Sequence, residues 1–283
     1  MVIDNKALQA LCSQVRRDVV RMVHGAASGH PGGSLGCTEF FIALYFHHLR
    51  HRAPEFDMDG IGEDLFFLSN GHISPVFYST LARSGYFPVA ELATFRQINS
   101  RLQGHPTTHE GLPGVRVASG SLGQGLSVAI GAALSKKLHQ DSHLVYSLHG
   151  DGELQEGQIW EAALFASGRK VDNLIATVDA NGQQIDGPTS EVMPLGDIAA
   201  KFESFGWLTL QVPQGNDFNS VINGLEKAKG MTGAGQPVVM ILHTAMGAGI
   251  DFMEGTHHWH GIAPNDEQLA QALAQQPETL GDY

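Results

Sequence analysis

The chain has 283 residues, with 17 Lys plus Arg against 29 Asp plus Glu and a formal net charge of −12. A surplus of that sign disfavours nucleic acid or an anionic membrane as the main partner, and the length allows one large α/β domain or two smaller ones. The only cysteines, Cys12 and Cys37, form no CxxC pair and read as small core residues, not as a disulfide framework or a cysteine-rich zinc site.

The amino terminus, MVIDNKALQ, lacks the basic start and apolar segment of a signal peptide. The longest apolar run, Phe40 to Phe46, is too short for a bilayer, so a soluble, cytoplasmic chain is expected. With no solenoid repeat and no low-complexity linker, the sequence reads as one domain over residues 1–263 followed by a loose tail over 264–283.

In chain order, Leu8, Leu11, Val15, Val19 and Met22 trace one face of a helix that ends near Gly25. The glycines and proline of SGHPGGSLG, Ser28 to Gly36, predict a loop feeding a helix capped by Thr38. That helix carries His47, His48 and His51. The i, i+4 pair His47 and His51 suits zinc in principle, but no further ligand is evident, and all three are expected as partly exposed helix residues. Leu65 to Leu68 predicts a buried strand that exits into Ser69-Asn70-Gly71-His72. The glycines at 120, 123 and 125 do not form GxGxxG; they open a helix carrying the small residues Ala129, Gly131, Ala132 and Ala133.

The stretch His143 to Gly187 reads as one βαβ unit. Leu144 to Leu148 forms a strand that stops at Gly150-Asp151-Gly152; Ile159, Ala162, Ala163 and Ala166 lie at helical spacing; Leu174 to Val178 forms the next strand, followed by Asp179, Ala180 and Asn181. Parallel strands joined by one crossover helix bring their carboxyl ends to the same sheet edge, so Asp151 and Asn181 are expected to meet there. Strands at Leu208 to Val212 and Val238 to Leu242, with a helix over Phe218 to Lys229 between them, complete a doubly wound, largely parallel α/β sheet flanked by helices. His257, His258 and His260 cluster near the end but define no tetrahedral metal set.

An ionised Asp, an Asn amide oxygen and a nearby backbone carbonyl make a hard oxygen donor set suited to magnesium, with calcium or manganese as substitutes. Glycines at 150 and 152 permit close approach by a diphosphate, and the following helix offers its positive end. An isolated GDG is more often an ordinary turn; the Asn directly after the next strand favours the functional reading.

GDG followed by that Asn resembles the diphosphate-binding motif of thiamine diphosphate enzymes, and GDGELQEGQIWEA with DANGQQIDG is similar to transketolase. SGHPGGSLG, SNGH, QGHP, GSLGQG and WHGIAPN agree in the family's order, from about Leu8 to Asn265. The resemblance implies that Gly150, Asp151, Gly152, Asn181, His72, Gly120 and Leu122 contact thiamine diphosphate, with Asp151, Asn181 and the Gln183 carbonyl holding magnesium. It implies that His30 and His260 move the donor's C3 hydroxyl proton, that His260 also meets the cofactor, and that His105 binds substrate. Glu156 resembles the acid that contacts the activating Glu of a neighbouring subunit. Ser121 and Gly182 depart from residues common in relatives; neither removes a ligand.

The resemblance reaches only the first half of a single-chain transketolase. It implies an amino-terminal subunit completed by a pyrimidine-domain (carboxyl-terminal) subunit, in a heterotetramer, transferring a two-carbon ketol group between sugar phosphates of the pentose phosphate type. Two alternatives stay open: a related transferase such as deoxyxylulose phosphate synthase, and a non-catalytic partner or scaffold half.

Overall fold

The computed structural model describes residues 5–283; the first four residues of the expected domain lie outside it. In chain order the helices are α1 (Asn5–Gly25), α2 (Pro31–Gly36), α3 (Thr38–Ala43), α4 (Ser74–Arg83), α5 (Gly125–Leu138), α6 (Gly157–Gly168), α7 (Thr189–Val192), α8 (Ile198–Ser204), α9 (Phe218–Met231) and α10 (Asp266–Gln275). The strands are β1 (Leu65–Leu68), β2 (Val145–Gly150), β3 (Leu174–Asp179), the short pair β4 (Gln183–Gln184) and β5 (Gly187–Pro188), then β6 (Leu208–Val212) and β7 (Val238–Leu242).

Five strands form one sheet in the order β1-β2-β3-β7-β6, every neighbouring pair parallel. Parallel sheets need both faces covered, and alternate side chains show that they are. Phe66 and Leu68 of β1 join one apolar cluster with α1, α3, α4 and α9, whereas Leu65 and Phe67 join a second with α5, α6 and α8. Cys12 and Cys37 are free and buried, as expected. Among the described residues no helix is long and apolar enough to cross a membrane.

Four local expectations need correction. The stretch from Ser28 to Gly36 is not all loop, because Pro31 opens α2 at a position where its missing N–H costs nothing. Its glycines serve close packing: a Cβ on Gly32 would lie 2.6 Å from Met246 Cγ and 2.8 Å from the Trp259 carbonyl oxygen. Thr38 does not cap α3; its hydroxyl donates back to the Ser34 carbonyl at 3.2 Å.

His48 is buried, not partly exposed, and His51 lies beyond the helical turn that ends at His48. Both ring nitrogens of His51 are engaged, Nε2 with the Tyr45 carbonyl and Nδ1 with the Tyr86 hydroxyl, each at 3.0 Å. They are not available to pair with His47 on zinc.

The segment beyond Ala263 is not loose. Asn265 and Gln268 form a reciprocal capping box that starts α10. Arg17 of α1 then donates to the Leu273 and Gln276 carbonyls at 3.0 and 2.8 Å and to Asp282 at 2.6 Å, fastening the segment to α1.

Candidate active site

The carboxyl ends of β1, β2 and β3 open into a cavity of ≈ 360 Å³. In the β2–β3 ladder Gly150 stands opposite Asp179, and the Asp151 N–H donates to the Asp179 carbonyl at 3.1 Å. Past β3 the chain turns at Gly182, whose φ of 72° is left-handed and natural for glycine. That turn aims the Gly182 N–H at Asp151 Oδ2, at 2.6 Å, while Oδ1 accepts from the Gly152 N–H at 2.7 Å. Thirty residues apart in sequence, the two strand tips are hydrogen-bonded neighbours.

Asp179 lies beneath them. Asn181 Nδ2 donates to Asp179 Oδ2 at 2.7 Å, which leaves the Asn181 amide oxygen to accept from the Gln183 N–H at 2.9 Å. Thr244 donates a short hydrogen bond to the other Asp179 oxygen. Burial, and then the charge of Asp179, raise Asp151 to about 7 despite the backbone N–H groups it accepts from. Burial likewise raises Asp179. Two buried acids with no lysine or arginine among their hydrogen-bond partners favour a bound cation. Among the described residues no three His, Cys, Asp or Glu side chains are grouped to hold a metal. The oxygens gathered here are instead the Asp151 carboxylate and the Asn181 amide oxygen, hard donors of the kind that suit an ion with open positions.

Four histidines form the facing wall. His30, forced toward extended backbone by Pro31, sits at the start of α2. Its ring centroid lies 5.1 Å from His72, 5.6 Å from His260 and 6.1 Å from His105, and His72 stacks on His260 at 5.1 Å. Burial, reinforced by His260, Arg96 and His105, lowers His30 to about 4. Burial also lowers His72, His105 and His260, so the neutral form of all four imidazoles is favoured. His30 Nδ1, His260 Nδ1 and Asn70 Oδ1 are buried without hydrogen-bond partners. Leaving such groups unpaired costs about 1–3 kcal/mol each, and three of them around one cavity suit a polar ligand.

Every site residue singled out in the sequence lines this cavity: His30, His72, His105 and His260; Gly120 and Leu122; Gly150, Asp151, Gly152 and Glu156; Asn181 and Gln183. Glu156 is exposed, and His257 and His258 stand outside on the surface. Sequence reasoning missed Asp179, Asn70 and Glu153. Each is an acid or amide at or just past the end of a buried strand, a signal present in the chain. Burial pushes the Glu153 carboxyl up, but His149, the Ser69 hydroxyl and the Gly123 N–H together hold it below the ordinary range.

The family profile described as "Transketolase, thiamine diphosphate binding domain" matches residues 7–277. The chain belongs to the transketolase family. Over 269 residues this transketolase-family chain is 37% identical to one subunit of an apulose-4-phosphate transketolase from Actinobacillus succinogenes, covering 95% of each. It is 36% identical over 271 residues to a 6-deoxy-6-sulfo-D-fructose transketolase subunit of a Clostridium species, again covering 95% of each. Human transketolase is 36% identical over 279 residues, but the match takes up 96% of this chain and 43% of the human one. The solved transketolase of Campylobacter jejuni superposes with a TM-score of 0.89 at 33% identity, covering 97% of this chain and 43% of that one. The transketolase-family chain thus spans less than half of the single-chain enzymes and nearly all of the relatives named as subunits.

Proposed function

We propose that this chain is the amino-terminal subunit of a two-chain transketolase, which with a separate pyrimidine-domain subunit transfers a two-carbon ketol group from a ketose phosphate to an aldose phosphate. The observation that carries the reading is the meeting of the Asp151 and Asn181 strand exits in one cavity with four clustered histidines. The chain's length, matching relatives named as subunits, supports the two-chain form, arranged as a heterotetramer by closed symmetry.

The residues fit a magnesium diphosphate group. Asp151, Asn181 and the Gln183 carbonyl would hold the ion, with Gly150, Gly152 and the neutral His72 ring offering close backbone approach and an N–H to phosphate oxygen. Gly120 and Leu122, which also line the cavity, would bear on the rest of the cofactor. When bound, thiamine diphosphate supplies the nucleophilic carbon and the electron sink for carbon–carbon cleavage. His30 and His260 then take and return the proton of the donor's C3 hydroxyl, a task that requires an unprotonated ring with a free nitrogen. Neither ring has its Nδ1 tied to a protein partner. His105 holds a substrate oxygen. Glu156, exposed at the rim, meets the partner subunit's activating acid.

The test is reconstitution. The chain is mixed with a candidate pyrimidine-domain subunit, magnesium and thiamine diphosphate and assayed with ordinary ketose phosphates, apulose 4-phosphate and 6-deoxy-6-sulfofructose. Ketol transfer from at least one donor is expected. A stable complex that takes up cofactor but transfers from none would overturn the assignment.

A further inference from the structure

Glu153 has no part in the chemistry above, yet it sits at the junction of three segments that do. It is 2% exposed, and among the described residues no lysine or arginine pairs with it; its ionisable partner is His149, 3.7 Å away. A buried carboxylate without a cation is costly unless donors satisfy both oxygens. Here they do. Oε1 accepts a short hydrogen bond from the Ser69 hydroxyl and another from the Gly123 N–H at 2.7 Å, and Oε2 accepts from the Gly150 N–H at 3.1 Å.

Those donors come from three separate stretches: the β1 exit that leads to Asn70 and His72, the glycine loop that carries Gly120 and Leu122, and the β2 exit that leads to Asp151. Ser69 extends the junction by accepting from the Gly125 N–H at 3.1 Å. The glycine loop is otherwise irregular backbone, tied nearby by Gln158 donating to the Leu122 carbonyl at 3.2 Å. A carboxylate beside a diphosphate would repel it; consuming both oxygens in backbone and hydroxyl bonds turns that charge inward and uses it to fix spacing.

We propose that Glu153 is a positioning residue that sets the distance between the glycine loop and the two strand exits, and thereby the affinity of the cavity for its diphosphate cofactor. The proposal rests on the thiamine diphosphate reading of the cavity. An apolar side chain would fill the same space but could not accept from three segments, and a glutamine would turn one oxygen into a donor facing an N–H or hydroxyl donor.

The experiment compares the parent, Glu153→Gln and Ser69→Ala, each assembled with the partner subunit. Cofactor affinity is measured by calorimetry in magnesium, kcat at saturating cofactor, and hydrogen exchange at the Gly123 and Gly150 amides. Glu153→Gln is expected to weaken cofactor binding by at least about 10-fold, as outer residues of ligand sites do, with faster exchange at both amides and a kcat close to the parent's once cofactor saturates. Ser69→Ala is expected to show a smaller loss in the same direction, and it decides the matter if Glu153→Gln does not fold. Unchanged cofactor affinity in the folded variants, while the parent binds normally, overturns the positioning role and leaves the site reading intact. A parent assembly that takes up no cofactor overturns the site reading itself, and the role of Glu153 with it.

Discussion

The acidic floor of the cavity comes from one continuous stretch, residues 150–184, whereas its histidine wall is gathered from four loops between His30 and His260. The floor is fixed by local rules: parallel register sets Gly150 against Asp179, and one left-handed glycine turns Gly182 onto Asp151. The wall exists only when α2, the β1 exit, the loop at His105 and the loop at His260 pack together. Electrostatics divides the same way. Burial raises the acids of the floor and lowers the imidazoles of the wall, so the two regions are pushed toward neutrality from opposite sides.

The strongest way to break the contrast is Asp151→Ala, which removes the one charged ligand of the proposed ion. Cofactor uptake should fall by at least about 100-fold, beyond the usual cost of losing a ligand's supporting residue, and ketol transfer should vanish at ordinary cofactor levels. Retained uptake would show that the acidic floor does not hold the cofactor. Next, His30→Ala or His260→Ala should slow ketol transfer by about 100- to 10,000-fold, the range of a lost acid–base group. For His30→Ala, calorimetry should still find the parent's cofactor affinity; a matching loss of affinity would make His30 part of the floor's function.

The pH dependence of thermal stability, measured without metal or cofactor, sharpens the comparison further. Asp151 sits at about 7 in the folded chain against an ordinary 3.8, so the native state holds the extra proton and this group makes stability fall as pH rises from about 4 to about 7. His30 sits at about 4 against an ordinary 6.5, so the unfolded state holds the extra proton and stability rises with pH across about 4 to 6.5. Asp151→Asn should therefore make the slope of Tm against pH more positive, and His30→Gln should make it less positive. Slopes that move together would contradict the opposed environments. The smallest expected effect is at Gly182, where a Cβ meets nothing within 4 Å and only the φ of 72° resists it. Gly182→Ala should cost about 1–2 kcal/mol in denaturant unfolding, and Gly182→Asn less, since Asn tolerates that conformation.

The same division explains what could be read from the chain. All five main strands were legible as apolar runs that start within one residue of those observed, with β3 running one residue and β2 two residues past the apolar run, because a buried parallel strand needs little but continuous apolar side chains. The expected meeting of the Asp151 and Asn181 strand exits followed from the parallel direction of two strands joined by one crossover helix. The wall was found only through resemblance, since no spacing rule brings His30 within 5.1 Å of His72. Where reading failed, tertiary packing overrode local signals. Gly32 of α2 looked like a loop residue but answers to Met246 and Trp259, which lie more than 200 positions away. The start of α10 was legible in Asn265 and Gln268 and went unread, while its docking depends on Arg17, at the opposite end of the chain. Asp179 passed as the end of a strand because its role shows only in the hydrogen bonds it accepts from Asn181 and Thr244.

The most direct test of the central claim is anomalous diffraction from crystals of the two-chain assembly grown with manganese and thiamine diphosphate. One strong manganese peak is expected within coordination distance of Asp151, Asn181 and the Gln183 carbonyl, touching the diphosphate. A fully loaded crystal with its manganese elsewhere, or with the diphosphate bound away from these two strand tips, would contradict it.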